Sequence, residues 1–156
     1  MSGRIIVLPL ASENPVKSGP PSVELLTDHG AKNVVLWAKA DPTDADRLEL
    51  SELLKGARGI WMAGGDQRRI TARLGPEFIT KTLQPLVKQG LNVYGTSAGA
   101  MACSATMITG NGNFPGTATM APGLGLTNWI VDTHFTQRGR LPRLQDALRQ
   151  SCPSAG

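Results

Sequence analysis

The sequence has no long hydrophobic run, only two cysteines and few aromatic residues. No apolar stretch approaches the about 20 residues that a membrane-spanning helix requires, so we expect a soluble, cytoplasmic protein without membrane contact. Cys103 and Cys152 lie in no Cys-x-x-Cys pair and have no histidine nearby. We therefore expect neither a zinc site nor a disulfide framework, and the sequence implies no metal and no cofactor.

Aromatic residues make up 4% of the chain, and the net charge is +4 at pH 7. The lysines and arginines are dispersed along the sequence instead of alternating with aromatic residues that would stack on bases. This pattern is typical of a solvated surface and does not favour nucleic acid as a partner. The exception is one short cluster of arginines, Arg138, Arg140 and Arg143.

The chain is rich in glycine and alternates between two kinds of segment. Its 156 residues, of which 40% are hydrophobic, are expected to form one domain over residues 1–156. Continuous apolar segments predict strands at 4–10, 33–38, 59–65, 91–95 and 129–135. Proline, acidic and glycine residues at the segment ends predict helices at 19–30, 41–56, 67–74, 76–89 and 141–150. The glycine-rich stretch 105–128 is expected to be irregular.

Strands that are apolar throughout and alternate with helices indicate an α/β fold, with a mostly parallel sheet covered by helices on both faces. In such a sheet the ligand crevice lies beyond the carboxyl ends of the strands. Two glycine-rich stretches, "AGGDQ" at 63–67 and "GTSAG" at 95–99, follow predicted strands. They are therefore expected to face the same crevice.

"GTSAG" has the Gly-x-Ser-x-Gly pattern of a nucleophile elbow, between a predicted strand and a predicted helix. Ser97 would then project its hydroxyl group from a strained turn, and the Ala98 N–H at the helix start would help to bind an oxyanion. Two alternatives stay open, in which Ser97 is a small turn residue or a phosphate ligand. The phosphate interpretation is the weakest, because no Gly-Lys-Ser/Thr motif follows.

A serine hydroxyl group needs a base, and the chain has two histidines. His29 adjoins Gly30 at the end of a predicted helix, which is typical of a capping residue. His134 lies at the end of an apolar segment, in "VDTHFTQRGR", and is the better candidate for the general base. A purely structural role for this histidine is the alternative.

Three blocks, "GGDQ", "GTSAGAM" and "DTHFTQRGRLPRL", together resemble the cyanophycinase and dipeptidase E-like serine peptidases. This resemblance extends over residues 4–148 and implies a flavodoxin-like three-layer sandwich, related to class I glutamine amidotransferases. It also implies that Ser97 is the nucleophile, His134 the base, and the Gly65 and Ala98 amides the oxyanion hole. Further residues would line the site or bind substrate: Asp66, Gln67, Asp132, Thr133, Arg138, Arg140 and Arg143.

The chain departs from this family's pattern in three ways. Cyanophycinases tend to carry glutamine where this chain has Thr133. Family members usually have a further strand before the "RIIVLPLAS" segment, and strands after the "RLPRL" helix that supply an acid near the histidine. We expect both to be missing, so the acidic triad member stays open. Asp132 is the first candidate, and Asp66, Glu13, a backbone carbonyl or water are alternatives.

The three arginines have two interpretations. Guanidinium groups that follow the catalytic segment would suit a substrate carboxylate, which they bind bidentately. Alternatively, Asp132 is their partner within the protein.

These observations predict a serine hydrolase that cleaves a peptide or amide bond through an acyl-enzyme. Its substrate would be a small peptide or ester. If the arginines bind a substrate carboxylate, that substrate carries an acidic group. The alternatives are a small promiscuous esterase that uses the same serine, and a catalytically silent binding or assembly module. A parallel sheet without its outer strands would leave an unpaired edge, so a homodimer or larger assembly is expected.

Overall fold

The computed structural model describes residues 3–151, and Cys152 lies outside them. Its central sheet has four parallel strands: β1 (Arg4–Leu8), β2 (Val34–Leu36), β3 (Ala57–Met62) and β4 (Asn92–Gly95). Their order is β2-β1-β3-β4, so the direction of winding reverses between β1 and β3. In open α/β sheets, ligands bind at such a reversal, beyond the carboxyl ends of the strands.

Helices connect the strands, and some of them begin at residues whose side chains cap the helix. In the helix that follows β2, for example, Thr43 and Asp46 form a capping box. The helices predicted at 19–30, 41–56, 67–74 and 141–150 are confirmed. The bounds are α1 (Pro15–Ser18), α2 (Pro20–Asp28), α3 (Asp44–Leu54), α4 (Gln67–Leu74), α5 (Pro76–Phe78), α6 (Gln84–Lys88), α7 (Ala98–Met101) and α8 (Leu141–Ser151).

The helix predicted at 76–89 contains a π-helical turn, Ile79–Leu83, between α5 and α6. At its end the Gln84 N–H donates to the Ile79 carbonyl, one residue further back than in an α-helix. Pro85 explains the wider turn, because a proline ring clashes with the carbonyl four residues earlier in regular α-helix.

Helices cover both faces of the central strands. Ile6 and Val7 are neighbours in β1 and therefore point to opposite faces, and both are fully buried. The main hydrophobic cluster packs strand residues such as Met62 against helix residues such as Leu50 and Ile70. The expected α/β architecture with a parallel sheet is confirmed.

A β-hairpin lies within the segment for which irregular structure is predicted. Strands β5 (Thr106–Asn111) and β6 (Ala118–Pro122) pair antiparallel. Helix α8 packs on them through a second hydrophobic cluster that includes Ile108, Ala118 and Ala147. The prediction was wrong because the glycines of this segment suggested irregular structure. Its threonine and apolar residues form the pattern that is typical of strands.

The strand predicted at 129–135 is also wrong, since this segment is irregular. Side chains bind its backbone groups in place of a neighbouring strand. The Val131 N–H donates to Ser104 Oγ (3.1 Å), and the Thr133 carbonyl accepts from Arg140. At His134 the backbone turns, with a φ of 53°.

Strand β4 forms one edge of the sheet. Within residues 3–151 it pairs with β3 and with no other strand. Asn92, Tyr94 and Gly95 of this strand are exposed. No helix in the described range is both long enough and apolar enough to cross a membrane.

Candidate active site

Ser97 occupies a sharp turn between β4 and α7. Its φ is 52°, a value that residues other than glycine rarely adopt. A Cβ at Gly95 would lie 2.6 Å from Ala100 N, and a Cβ at Gly99 would lie 2.2 Å from the Met62 carbonyl oxygen. The glycines of the motif therefore stand where strand and helix approach most closely, as in a nucleophile elbow.

His134 contacts Ser97 from the loop that precedes α8. Its Nε2 lies 2.9 Å from Ser97 Oγ, within hydrogen-bond distance. Ser97 and His134 are the two non-glycine residues with positive φ between residues 3 and 151. Strained conformations of this kind cluster at functional sites, because the surrounding structure must hold them in place.

This pair can carry out proton transfer coupled to nucleophilic attack. A neutral imidazole at hydrogen-bond distance accepts the proton of a serine hydroxyl group, which then attacks a carbonyl carbon. Ser97 is half-buried and the His134 ring is exposed, so a substrate can reach both. Within residues 3–151, no group of three or more His, Cys, Asp or Glu side chains is arranged to hold a metal ion.

The backbone N–H groups of Gly65 and Ala98 have no hydrogen-bond acceptor in the part of the chain that the structure describes. Ala98 is the first residue of α7, where N–H groups lack intrahelical partners. The turn after β3 lies against the serine, since a Cβ at Gly64 would be 3.2 Å from Ser97 Cβ. Of the two amides that the sequence suggests for an oxyanion hole, that of Ala98 directly follows Ser97 at the start of α7, and that of Gly65 belongs to the turn whose Gly64 lies against Ser97.

Asp132 does not contact His134. Its carboxylate is fully buried and pairs with Arg143 (Nε to Oδ2, 3.0 Å) and with Arg140 (Nη1 to Oδ1, 3.3 Å). No acceptor binds His134 Nδ1 among the described residues. Asp132 therefore holds the loop that carries His134, and among the described residues the imidazole has no carboxylate partner, so the acidic triad member stays open.

Three residues that were expected to line the site have partners within the protein. Asp66 caps α4 by accepting from the Arg68 N–H, and the bonded Arg68 guanidinium lowers the pKa of its carboxyl group. Gln67 is buried and donates to a backbone carbonyl of β5 at 2.6 Å. Thr133 Oγ1 lies 3.3 Å from a methionine sulfur of α7. Glu13, the remaining candidate acid, pairs with an arginine of α4 at 2.8 Å.

Arg138, Arg140 and Arg143 line one cavity of about 430 Å³, together with the turn between β5 and β6. Arg143 and Arg140 contact Asp132, whereas Arg138 is exposed and makes no ion pair in the described chain. Burial lowers the pKa of the Arg140 guanidinium, and the charge of Arg143 lowers it further. The cavity therefore carries more positive charge than Asp132 neutralises.

The sequence did not reveal two parts of this region. The β5–β6 turn forms one wall of the arginine cavity, and its strand pattern was the available signal. The Ala11 carbonyl oxygen would lie 2.3 Å from a Cβ at Gly65, which has a φ of 140°. Every residue has a backbone carbonyl, so the residue types in the sequence could not predict this contact.

Comparison with known proteins gives consistent matches. The model of "Peptidase family S51" matches residues 2–153. A cyanophycinase of Synechococcus elongatus is 34% identical over 148 residues, which cover 91% of this chain and 46% of the relative. A cyanophycinase of Geminocystis herdmanii is 34% identical over 150 residues, covering 92% of this chain and 55% of the relative. The chain thus spans about half the length of the curated relatives it matches.

A solved structure resembles the chain over nearly all of its length. This peptidase from an acI-B1 actinobacterium aligns with a TM-score of 0.64 at 22% identity, over 93% of this chain and 61% of its own. The likeness indicates a shared fold.

Proposed function

Because this chain belongs to peptidase family S51, we propose that it is a serine hydrolase that cleaves a peptide or amide bond through an acyl-enzyme on Ser97. One observation carries the proposal. The two non-glycine residues of the described chain with positive φ are hydrogen-bonded to each other, Ser97 Oγ to His134 Nε2, at 2.9 Å.

In the first step, Ser97 Oγ attacks the substrate carbonyl carbon while its proton passes to His134 Nε2. The carbonyl oxygen becomes an oxyanion, and the N–H groups of Gly65 and Ala98, which have no acceptor within residues 3–151, are available donors to it. The C–N bond then breaks, and the imidazolium returns its proton to the leaving amine. Water attacks the acyl group with His134 again acting as the base, which releases the acid and regenerates Ser97.

His134 is oriented by its own backbone conformation and by the loop that carries it. Arg140 binds the Thr133 carbonyl directly before His134, and Arg143 holds Asp132. The catalytic pair thus depends on a buried ion-pair network that fixes the loop. An active site without a carboxylate on the imidazole is slower than a full triad and still catalytic.

The substrate class that suits the region is a small peptide with an acidic group. Arg138 is exposed and lines the arginine cavity, and a guanidinium group binds carboxylates bidentately. Cyanophycin is one candidate, because curated relatives are named cyanophycinases. We expect Arg138→Gln to raise KM for an acidic peptide and to leave KM for a neutral ester unchanged. An equal change in both KM values would contradict this substrate assignment.

The proposal is tested by hydrolysis assays on a panel of peptides and p-nitrophenyl esters. Ser97→Ala and His134→Ala should each reduce turnover by several orders of magnitude, because nucleophile and base act as a unit. Ser51→Ala on the distant helix α3 is the matched control and should leave turnover unchanged. Undiminished turnover in Ser97→Ala would contradict the proposal.

A second candidate function is that of a small esterase using the same serine. The absence of an acceptor for His134 Nδ1 within the described residues favours it, since esters require less protonation of the leaving group than amides do. Turnover of esters with no turnover of any peptide would support this version. A chain that hydrolyses neither and does not react at Ser97 would be a binding or assembly module.

A further inference from the structure

Arg73, near the end of α4, binds three backbone carbonyls and has no acidic partner among residues 3–151. Its Nε donates to the Ala40 carbonyl (2.6 Å), and its Nη1 donates to the carbonyls of Leu10 (2.6 Å) and Ser12 (2.5 Å). The side chain is half-buried. Charged donors form the stronger class of hydrogen bonds, so these contacts fix the chain that follows β1.

Two of the carbonyls that Arg73 binds, those of Leu10 and Ser12, lie on either side of Ala11 in the sequence. Ala11 is fully buried, and its own carbonyl accepts the Asp66 N–H at 2.8 Å. The same carbonyl faces Gly65 so closely that a Cβ there would lie 2.3 Å from its oxygen. Residues 10–12 are therefore the surface against which the turn after β3 rests.

We propose that Arg73 is a positioning residue for the oxyanion hole. By holding Leu10 and Ser12, it directs the Ala11 carbonyl onto the Asp66 N–H and thereby sets the orientation of the Gly65 N–H, in the turn whose Gly64 lies against Ser97. The inference rests on the proposed function, in which the Gly65 N–H binds the oxyanion.

A small displacement of this turn has a large effect on rate. Loss of one oxyanion donor lowers turnover by about 10²- to 10³-fold in other serine hydrolases, and a 1 Å misplacement can cost about 10²-fold. The Gly65 N–H has no hydrogen bond of its own within the described range, so its direction depends on its neighbours. The nearest restraint on this direction is the hydrogen bond from the N–H of the next residue, Asp66, to the Ala11 carbonyl.

The experiment measures the rate at which a fluorophosphonate phosphonylates Ser97, with loss of fluoride, and the hydrogen exchange of the Asp66 amide. Arg73→Met keeps the unbranched aliphatic part of the side chain and removes its donors. We expect it to slow phosphonylation by about 10- to 100-fold and to accelerate Asp66 exchange. Arg47→Met is the matched control, because Arg47 donates to the Arg73 carbonyl (3.1 Å) without touching residues 10–12. It should change neither quantity.

A second variant keeps the inference testable if Arg73→Met does not fold. Arg73→Lys retains the charge but offers one ammonium group for three separate carbonyls, so phosphonylation should be slowed to a smaller extent. Phosphonylation at the wild-type rate in either folded variant would overturn the inference and leave the proposed function intact. If the wild-type Ser97 does not react at all, the proposed function fails. In that case the hydrogen exchange of the Asp66 amide alone tests whether Arg73 is a positioning residue. Unchanged exchange in Arg73→Met overturns the inference.

Discussion

At Ser97 the backbone adopts a conformation that favours glycine, with a φ of 52°. Such a conformation in another residue costs of the order of 1–3 kcal/mol and persists only where the surrounding structure enforces it. Here β4, α7 and the close contacts of Gly95 and Gly99 enforce it. Ser97 is therefore held in this turn at the expense of stability, a pattern typical of catalytic residues.

We expect Ser97→Gly to raise the free energy of unfolding by about 1 kcal/mol while abolishing hydrolysis, because glycine adopts this φ without strain. Urea unfolding monitored by circular dichroism measures the change. Ser51→Gly within α3 is the matched control and should lower stability, since glycine weakens a helix interior. A Ser97→Gly protein that is less stable than the wild type would contradict the interpretation of strain.

Single residues in short motifs were the most predictable part of the site. Ser97 and His134 followed from "GTSAG" and from the scarcity of histidine, and the structure brings them within hydrogen-bond distance. The partners of Asp132 could not be predicted, because its arginines lie eight and eleven residues further along the chain. Only the fold of the loop decides whether such residues meet.

Between elements, the Gln67 side chain links α4 to β5 through the Ile108 carbonyl. Gln67 is buried, so Gln67→Leu would leave that carbonyl without a donor and should cost about 1–3 kcal/mol of stability. Gln84→Leu is the matched control. Gln84 donates to the Leu124 carbonyl at a less buried position, where water can replace it, and its loss should cost less. Equal costs would contradict the structural role of Gln67, and urea unfolding distinguishes the two results.

The docking of α8 on the hairpin depends on the charge of Asp146. Its carboxylate accepts from the Ala118 N–H (2.8 Å) and from Gln150, and these hydrogen bonds, the first above all, lower the pKa of the carboxyl group. A lowered pKa in the folded protein means that this stabilisation is complete above the usual pKa and is lost as the pH falls through the lowered one.

Stability should therefore decline more steeply towards acid pH in the wild type than in Asp146→Asn, which keeps an acceptor oxygen but does not ionise. Urea unfolding between neutral and acid pH measures the difference. Parallel stability curves for the two proteins would rule out this role of Asp146.

At the level of elements, the sequence predicted the buried parallel strands best and the region after residue 104 worst. Continuous apolar runs are decisive for strands that are covered on both faces, as β1 and β3 are. The segment 129–135 begins with a similar apolar run, yet side chains such as Ser104 bind its backbone in place of a strand. Composition does not distinguish these two environments.

For the whole molecule, the open edge of β4 leads us to propose self-association. The Thr96 N–H donates to the Met62 carbonyl of β3, so by the alternation along a strand the N–H groups of Val93 and Gly95 face outward. Tyr94 on this strand is 48% exposed, which is high for an aromatic residue in a sheet. Unpaired edges of this kind invite pairing with a second copy.

Light scattering at micromolar concentration should therefore give at least twice the mass of one chain. Val93→Pro removes an outward N–H group, which an edge strand tolerates, and should yield a folded monomer. Tyr94→Pro is the control, because it removes an N–H group that faces β3 and should destabilise the fold itself. A monomeric wild type would contradict the proposal.

We propose that Ser97 is a nucleophile that His134 activates. The most direct measurement is mass spectrometry of the protein after reaction with a fluorophosphonate, with the modified residue identified by peptide fragmentation. We expect one adduct on Ser97 in the wild type, and an adduct that forms orders of magnitude more slowly in His134→Ala. An adduct on another residue, or one that forms on Ser97 equally fast without His134, would contradict the account.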